Sequence, residues 1–183
     1  MSKYYPYVPA LSGRNLDRLL EETPAQRPSI IEGLLYENSI LLISSDPGTG
    51  KSTLVANAIA QLSCGLPVFG SLHVPRPVKC YYIPFERGSQ EIRERLKLIR
   101  ESVPFNTDNI FIFENLDIVA PNLYDIDDQN FLLNSIEKDC TRPDIVFYDP
   151  IYASVQGGLS DETKVSIFTR FNTRLMARFK CST

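Results

Sequence analysis

Nine consecutive residues, Ser45-Asp46-Pro47-Gly48-Thr49-Gly50-Lys51-Ser52-Thr53, set two glycines, a lysine and several hydroxyls in an order that suits a polyphosphate. Gly48 and Gly50 let the backbone turn its amides inward on phosphate oxygens, and a helix starting after them adds the positive end of its dipole. Lys51 supplies charge for the β- and γ-phosphates, and the Ser52 hydroxyl is placed to ligate an Mg²⁺ that bridges them. Residues Ser45 to Thr53 therefore make a candidate P-loop for a nucleoside triphosphate. The first glycine of the usual Gly-x-x-x-x-Gly-Lys-Ser/Thr pattern is replaced by Ser45. If that position needs a positive φ, strain or weaker nucleotide binding is expected.

A P-loop serves ATPases, GTPases and small-molecule kinases alike, so the acids around it decide. Ile145-Val146-Phe147-Tyr148-Asp149 ends four apolar residues in a carboxylate, which would emerge beside the P-loop and hold Mg²⁺. Pro150 follows, so the next residue is no catalytic glutamate and the base must come from elsewhere. Tyr82-Ile83-Pro84-Phe85-Glu86-Arg87 puts Glu86 at the carboxyl end of another strand, where open α/β sheets build their sites. Glu86 is the candidate water-activating base, with Glu114 a weaker rival; the plain alternative for Glu86 is a surface residue capping the next helix. Guanine specificity has no support: Asp149-Pro150-Ile151-Tyr152 is not Asp-x-x-Gly, and Asn-Lys-x-Asp does not occur.

Positioning these residues requires alternating strands and helices. Four runs have strand character, Ile40 to Ser44, Val78 to Phe85, Ile110 to Phe113 and Ile145 to Asp149, each apolar on successive residues as in parallel strands covered on both faces. A hairpin-like segment over Ser29 to Leu35 precedes the first. Helical stripes lie between them: Leu54, Val55, Ala58, Ile59 and Leu62; then Ile92, Leu96, Ile99 and Val103; then Phe131, Leu132, Ser135 and Ile136; then Val165, Phe168, Phe171, Leu175 and Phe179. This order predicts an α/β fold with a doubly wound, mostly parallel sheet and right-handed crossovers. Because the last helix runs straight into Cys181-Ser182-Thr183, the last strands of such a sheet are expected to be missing from this chain. Residues 1–28 read as a tail, a short helix with Leu16, Leu19 and Leu20 on one face, and a linker; residues 29–183 read as the domain.

Composition narrows the classes further. With 43% hydrophobic residues and 22% charged, the 183 residues make one globular domain and exclude a disordered or collagen-like chain. No apolar run approaches the roughly 20 residues needed to span a bilayer, and the Tyr- and Pro-rich start is no secretory signal, so a soluble, cytoplasmic protein is expected. The spacing of Cys64, Cys80, Cys140 and Cys181, with His73 the single histidine, argues against a zinc site. A net charge of −3 gives no global attraction to nucleic acid, so any such binding must be local or belong to an oligomer.

Beyond these readings, the chain resembles a known family, the RecA-like ATPases of the hexameric-helicase RepA type, described as an AAA domain of the RecA/DnaB superfamily. The resemblance spans about Ser29 to Thr183. It rests on Ile31-Glu32-Gly33-Leu34-Leu35 leading through Leu42-Ile43-Ser44-Ser45 to the P-loop, on Cys80 to Glu86, on Ile92-Arg93-Glu94-Arg95-Leu96, and on Ile145 to Pro150. It implies a RecA-like P-loop core, Lys51 and Ser52 at phosphate and Mg²⁺, Glu86 as catalytic glutamate and Asp149 as the Walker B acid. It also implies an ATPase working as a homo-oligomeric ring on single-stranded DNA, as a replicative helicase or a recombinase-type motor. Two departures bear on turnover: Ser45, and the absence of the strand that in the family carries a polar sensor residue. They leave open a nucleotide-binding regulatory or assembly module with little or no hydrolysis. A small-metabolite kinase is disfavoured for want of an arginine-rich lid.

Four weaker features complete the reading. Arg170, Arg174 and Arg178 form one helical stripe, either a contact to DNA or to a neighbour's nucleotide, or a solvated face. Gly157 to Asp161 is a loop that lines a pore, closes over nucleotide or merely connects. His73 reads as a surface loop residue, and the acidic run Tyr124 to Asp128 as a helix cap in preference to a cation site.

Overall fold

The computed structural model describes residues 13–21, 28–85, 88–114, 121–154 and 162–183. In chain order these form α1 (Arg14–Glu21), β1 (Ser29–Ile31), β2 (Leu35–Tyr36), α2 (Lys51–Cys64), β3 (Cys80–Pro84), α3 (Gly88–Ile99), β4 (Ile110–Ile112), α4 (Ile126–Asp139), β5 (Ile145–Asp149) and α5 (Glu162–Phe179), with 3₁₀ turns before β4 and after β5. β1 and β2 make the early hairpin, tighter than the sequence implied, with Gly33 at φ 73° in its turn. The central sheet is parallel in the order β4-β3-β5. No helix among the described residues is long and apolar enough to cross a membrane.

The chain steps from β3 to β4 on one side and then back across β3 to β5 on the other. With one crossover hand, that reversal puts the two connecting helices on opposite faces of the sheet. The packing follows. Ala58, Ile59 and Leu62 of α2 and Ile92 and Leu96 of α3 are buried with Cys80, Tyr82 and Ile145 on one face. Leu132, Leu133 and Ile136 of α4 and Phe168, Phe171, Leu175 and Phe179 of α5 are buried with Tyr81, Ile83 and Val146 on the other. Alternate residues of β3 and β5 thus feed two cores, which is why these strands read as continuous apolar runs. Each buried Leu, Ile or Phe contributes about 1.5–3 kcal/mol. The chain is an α/β P-loop core with a RecA-like parallel sheet covered on both faces.

The segment Ile40 to Ser44 departs from expectation. It is assigned no strand, and Ile40, Leu42 and Ile43 are 50%, 68% and 36% exposed. The reason lies in its backbone partners. Ser182 pairs in parallel with Ile145, through Ser182 N–H to Asp144 C=O (2.9 Å) and Val146 N–H to Ser182 C=O (2.8 Å). On its other side, Thr183 N–H donates to Ser39 C=O (3.1 Å) and Leu41 N–H to Thr183 C=O (2.8 Å). The ladder stops there. Among the described residues nothing lies between β5 and residues 42–45, so that stretch runs beside a strand-wide gap and its apolar side chains stay in solvent. Smaller departures have the same character: Leu16 and Leu20 of α1 and Phe131 of α4 are exposed, while Val103 falls beyond the end of α3.

Asp144 fastens the amino ends of β3 and β5 together. Its Oδ1 accepts from the Arg76 guanidinium at 2.9 Å and its Oδ2 from Lys79 N–H at 2.8 Å. Burial alone would raise this carboxyl, but the hydrogen bonds from Arg76 and Lys79 outweigh it and hold it below the ordinary carboxylate range. A carboxylate depressed in the fold stabilises above its unfolded pKa, about 3.9, and that contribution vanishes as pH falls through the lower folded value. Asp144→Ala is expected to cost about 1–3 kcal/mol near neutral pH by urea unfolding, and to cost progressively less in acid as the wild type loses the same contribution.

Candidate functional site

The P-loop closes onto α2 as the glycines require. Gly48 and Gly50 take φ of 78° and 93°, and Gly50 is the left-handed residue from which α2 starts at Lys51. No side chain caps this end, and Leu54 N–H already reaches Gly50 C=O at 2.9 Å, which leaves the earlier amides for an anion. Among the described residues, positive φ outside glycine occurs at Asn38, Phe69 and Lys180. Ser45 therefore carries no left-handed strain, and its replacement of glycine acts through its hydroxyl instead.

That hydroxyl knits the loop. Ser45 Oγ lies 2.5 Å from Thr49 Oγ1, which also donates to Asp46 C=O at 2.8 Å. Lys51 Nζ is folded back on the same residues, donating to Ser45 C=O (2.6 Å), Asp46 C=O (2.8 Å) and Ser45 Oγ (3.2 Å). The ammonium thus has all three protons engaged, and phosphate oxygens must replace these acceptors. Ser45→Gly removes the weakest of them and is expected to tighten ATP binding about two- to five-fold by calorimetry, the equivalent of one modest hydrogen bond.

Asp149 closes β5 at the carboxyl edge, opposite Pro84, and its carbonyl accepts from Phe85 N–H at 2.9 Å. By strand alternation with Ile145 and Phe147 it belongs to the sheet face covered by α2 and α3. Its Oδ2 accepts from the Tyr82 hydroxyl at 2.6 Å. Burial, then this hydrogen bond, push the Tyr82 phenol well above its ordinary value, so it stays a donor. The strand order reverses at β3 and β5, and crevices outside such a reversal are where open α/β sheets bind ligands. Residues 39–41 run parallel to β5 through the Thr183 ladder, so the P-loop that follows them opens at the same edge as Asp149. At the level of Ile40 and Val146 the two segments lie two strand spacings apart, roughly 10 Å.

The other candidates fare differently. Glu86 and Arg87 lie outside the described residues, as does the loop Gly157 to Asp161. Glu114 Oε1 is held by Arg93 at 3.0 Å and by the Ser89 hydroxyl at 3.2 Å, which makes it a poorly placed base. The arginine stripe is largely spent on packing: Arg174 donates to Gln129 and to Asn130 (2.8 Å), and Arg178 to Asn134 (3.2 Å) and Glu137, all on α4. His73 is an exposed loop residue 3.1 Å from Glu32, and Asp125 caps α4 through the Asp127 N–H at 2.7 Å. A cavity of about 390 Å³ lined by Arg76, Lys79, Arg142 and Asp144 lies at the amino edge of the sheet, away from this chemistry. Tyr82 escaped the sequence reading. Its signal was a phenol inside a fully buried strand, which must find a partner.

A protein-family model described as an AAA domain matches residues 9–182, a span that holds the P-loop, Glu86 and Asp149. The chain belongs to the AAA-domain family. No curated protein matches it. Within this AAA domain the P-loop is the nucleotide site, and the chain is a nucleotide-binding P-loop ATPase domain. The donors at hand also fit the magnesium ion that accompanies such a nucleotide. Ser52 and Asp149 offer hard oxygens, and with Oδ2 of Asp149 taken by Tyr82, Oδ1 has no partner among the described residues.

Proposed function

We propose that this AAA domain hydrolyses ATP in an Mg²⁺-dependent manner and couples turnover to single-stranded DNA, as a subunit of a homo-oligomeric ring of the replicative-helicase or recombination-motor kind. The observation that carries the ATPase chemistry is the P-loop and the Tyr82-held Asp149 opening at one carboxyl edge. Lys51 and the loop amides take the β- and γ-phosphate charge, and Ser52 and Asp149 are the residues that would hold the cation. When bound, Mg²⁺ neutralises phosphate charge that develops in the reaction. Glu86, directly after β3, orients the attacking water and takes its proton. The DNA and ring components rest on the resemblance to the RepA type, and they place the DNA contact off the α5 stripe, whose Arg174 and Arg178 are engaged with α4.

A second reading, a nucleotide-binding regulatory or assembly module that hydrolyses little, is favoured by the three contacts that hold Lys51 on its own loop. ATP turnover with Mg²⁺, with and without single-stranded DNA, separates the two. Turnover stimulated by DNA supports the motor. Tight ATP binding with no turnover and indifference to DNA overturns it in favour of the binding module.

A further inference from the structure

We propose that Tyr82 is a positioning residue for Asp149: its hydroxyl fixes one carboxylate oxygen so that the other is presented to the nucleotide-bound cation. The inference rests on the reading of Asp149 as the metal-side acid. Tyr82 is 3% exposed and stands on β3 opposite Phe147, two residues short of Asp149 on the neighbouring strand. From there its hydroxyl reaches Oδ2 at 2.6 Å, within the range of a hydrogen bond strengthened by a full negative charge. The main chain of Asp149 is pinned as well, by Phe85 N–H on its carbonyl at 2.9 Å.

A carboxylate at a strand end otherwise turns freely about its last torsion, which is broad and two-fold. Here the backbone and Oδ2 are both held from β3, so one oxygen remains and its direction is set. Partners behind a metal-side carboxylate act in this way, and removing one typically weakens metal affinity about 10- to 100-fold. Packing does not call for the hydroxyl, because phenylalanine fills the same ring volume. The neighbouring residue supplies a matched comparison. Tyr81 is equally buried and donates to Asp139 Oδ2 at 2.7 Å, but on the other face of the sheet and at the far end of α4 from its capped start.

The test uses the full chain as wild type, Tyr82→Phe, Tyr81→Phe and Asp149→Asn. Mn²⁺ affinity of the complex with a non-hydrolysable ATP analogue is read by electron paramagnetic resonance, and analogue affinity in EDTA by calorimetry. Tyr82→Phe is expected to weaken Mn²⁺ binding about 10-fold, with analogue binding in EDTA unchanged and Tyr81→Phe indistinguishable from wild type. Wild-type Mn²⁺ affinity in Tyr82→Phe alongside a clear loss in Asp149→Asn overturns the positioning role and leaves Asp149 in place. Equal losses in the two tyrosine variants overturn it too, since the hydroxyls then act through the fold. No loss in Asp149→Asn removes the metal reading itself, and the role of Tyr82 with it.

Discussion

Lys51→Ala is expected to lower ATP turnover by about 10²- to 10³-fold, the cost of removing one preorganised charge aimed at a transferring phosphoryl group. The loss has two parts that separate in a titration. Ground-state binding weakens because the ammonium no longer meets the β- and γ-phosphates; turnover falls further because charge grows on the phosphoryl oxygens during transfer. The fold is expected to hold. Lys51 is the first residue of α2, and its three acceptors, the carbonyls of Ser45 and Asp46 and the Ser45 hydroxyl, lie in an exposed loop where water can replace it. A urea midpoint close to wild type, together with lost turnover, would place the defect at the phosphates. Unchanged turnover would remove the P-loop from the chemistry.

Glu86→Gln is expected to leave ATP binding within a few-fold of wild type while lowering turnover about 10²- to 10⁴-fold, the usual worth of a general base. Glutamine keeps the shape and loses the capacity to take a proton. Single-turnover measurements at saturating ATP therefore read the chemical step apart from binding. Glu114→Gln is the comparison. Glu114 is already occupied by Arg93 and Ser89, so turnover in that variant is expected to stay near wild type. A large loss in Glu114→Gln with none in Glu86→Gln would reassign the base.

The local parts of this site were legible in the sequence because they depend on residues adjacent in the chain. Positive φ at Gly48 and Gly50, a helix starting at Lys51 and a strand ending at Asp149 all follow from such neighbours, and all are found. The two-faced sheet was legible for a related reason, since strands buried on both sides must be apolar at every position. What the sequence hid depends on distant partners. Arg174 and Arg178 look like a free basic stripe until Gln129, Asn130, Asn134 and Glu137 come to meet them from α4. The hydrogen bond between Tyr82 and Asp149 joins residues 67 apart and needs the parallel register of β3 and β5 to form. Leu42 and Ile43 have the composition of a core strand, yet composition cannot report whether a neighbouring strand is there to pair with.

That unpaired stretch bears on affinity. The P-loop hangs from residues 39–41, which are tied to Thr183, while residues 42–45 lead into it beside the gap along β5. A segment held by so few backbone bonds opens locally at low free-energy cost. Nucleotide can bind only the fraction of molecules in which the loop is in line, so the apparent dissociation constant is the intrinsic one divided by that fraction. ATP affinity in this protein is therefore a readout of how well one edge of the sheet is ordered as much as of the contacts made by Lys51 and Ser52. By reciprocity, ATP that binds the ordered form strengthens the edge by the same factor, so occupancy at the phosphates and order along the sheet rise and fall together.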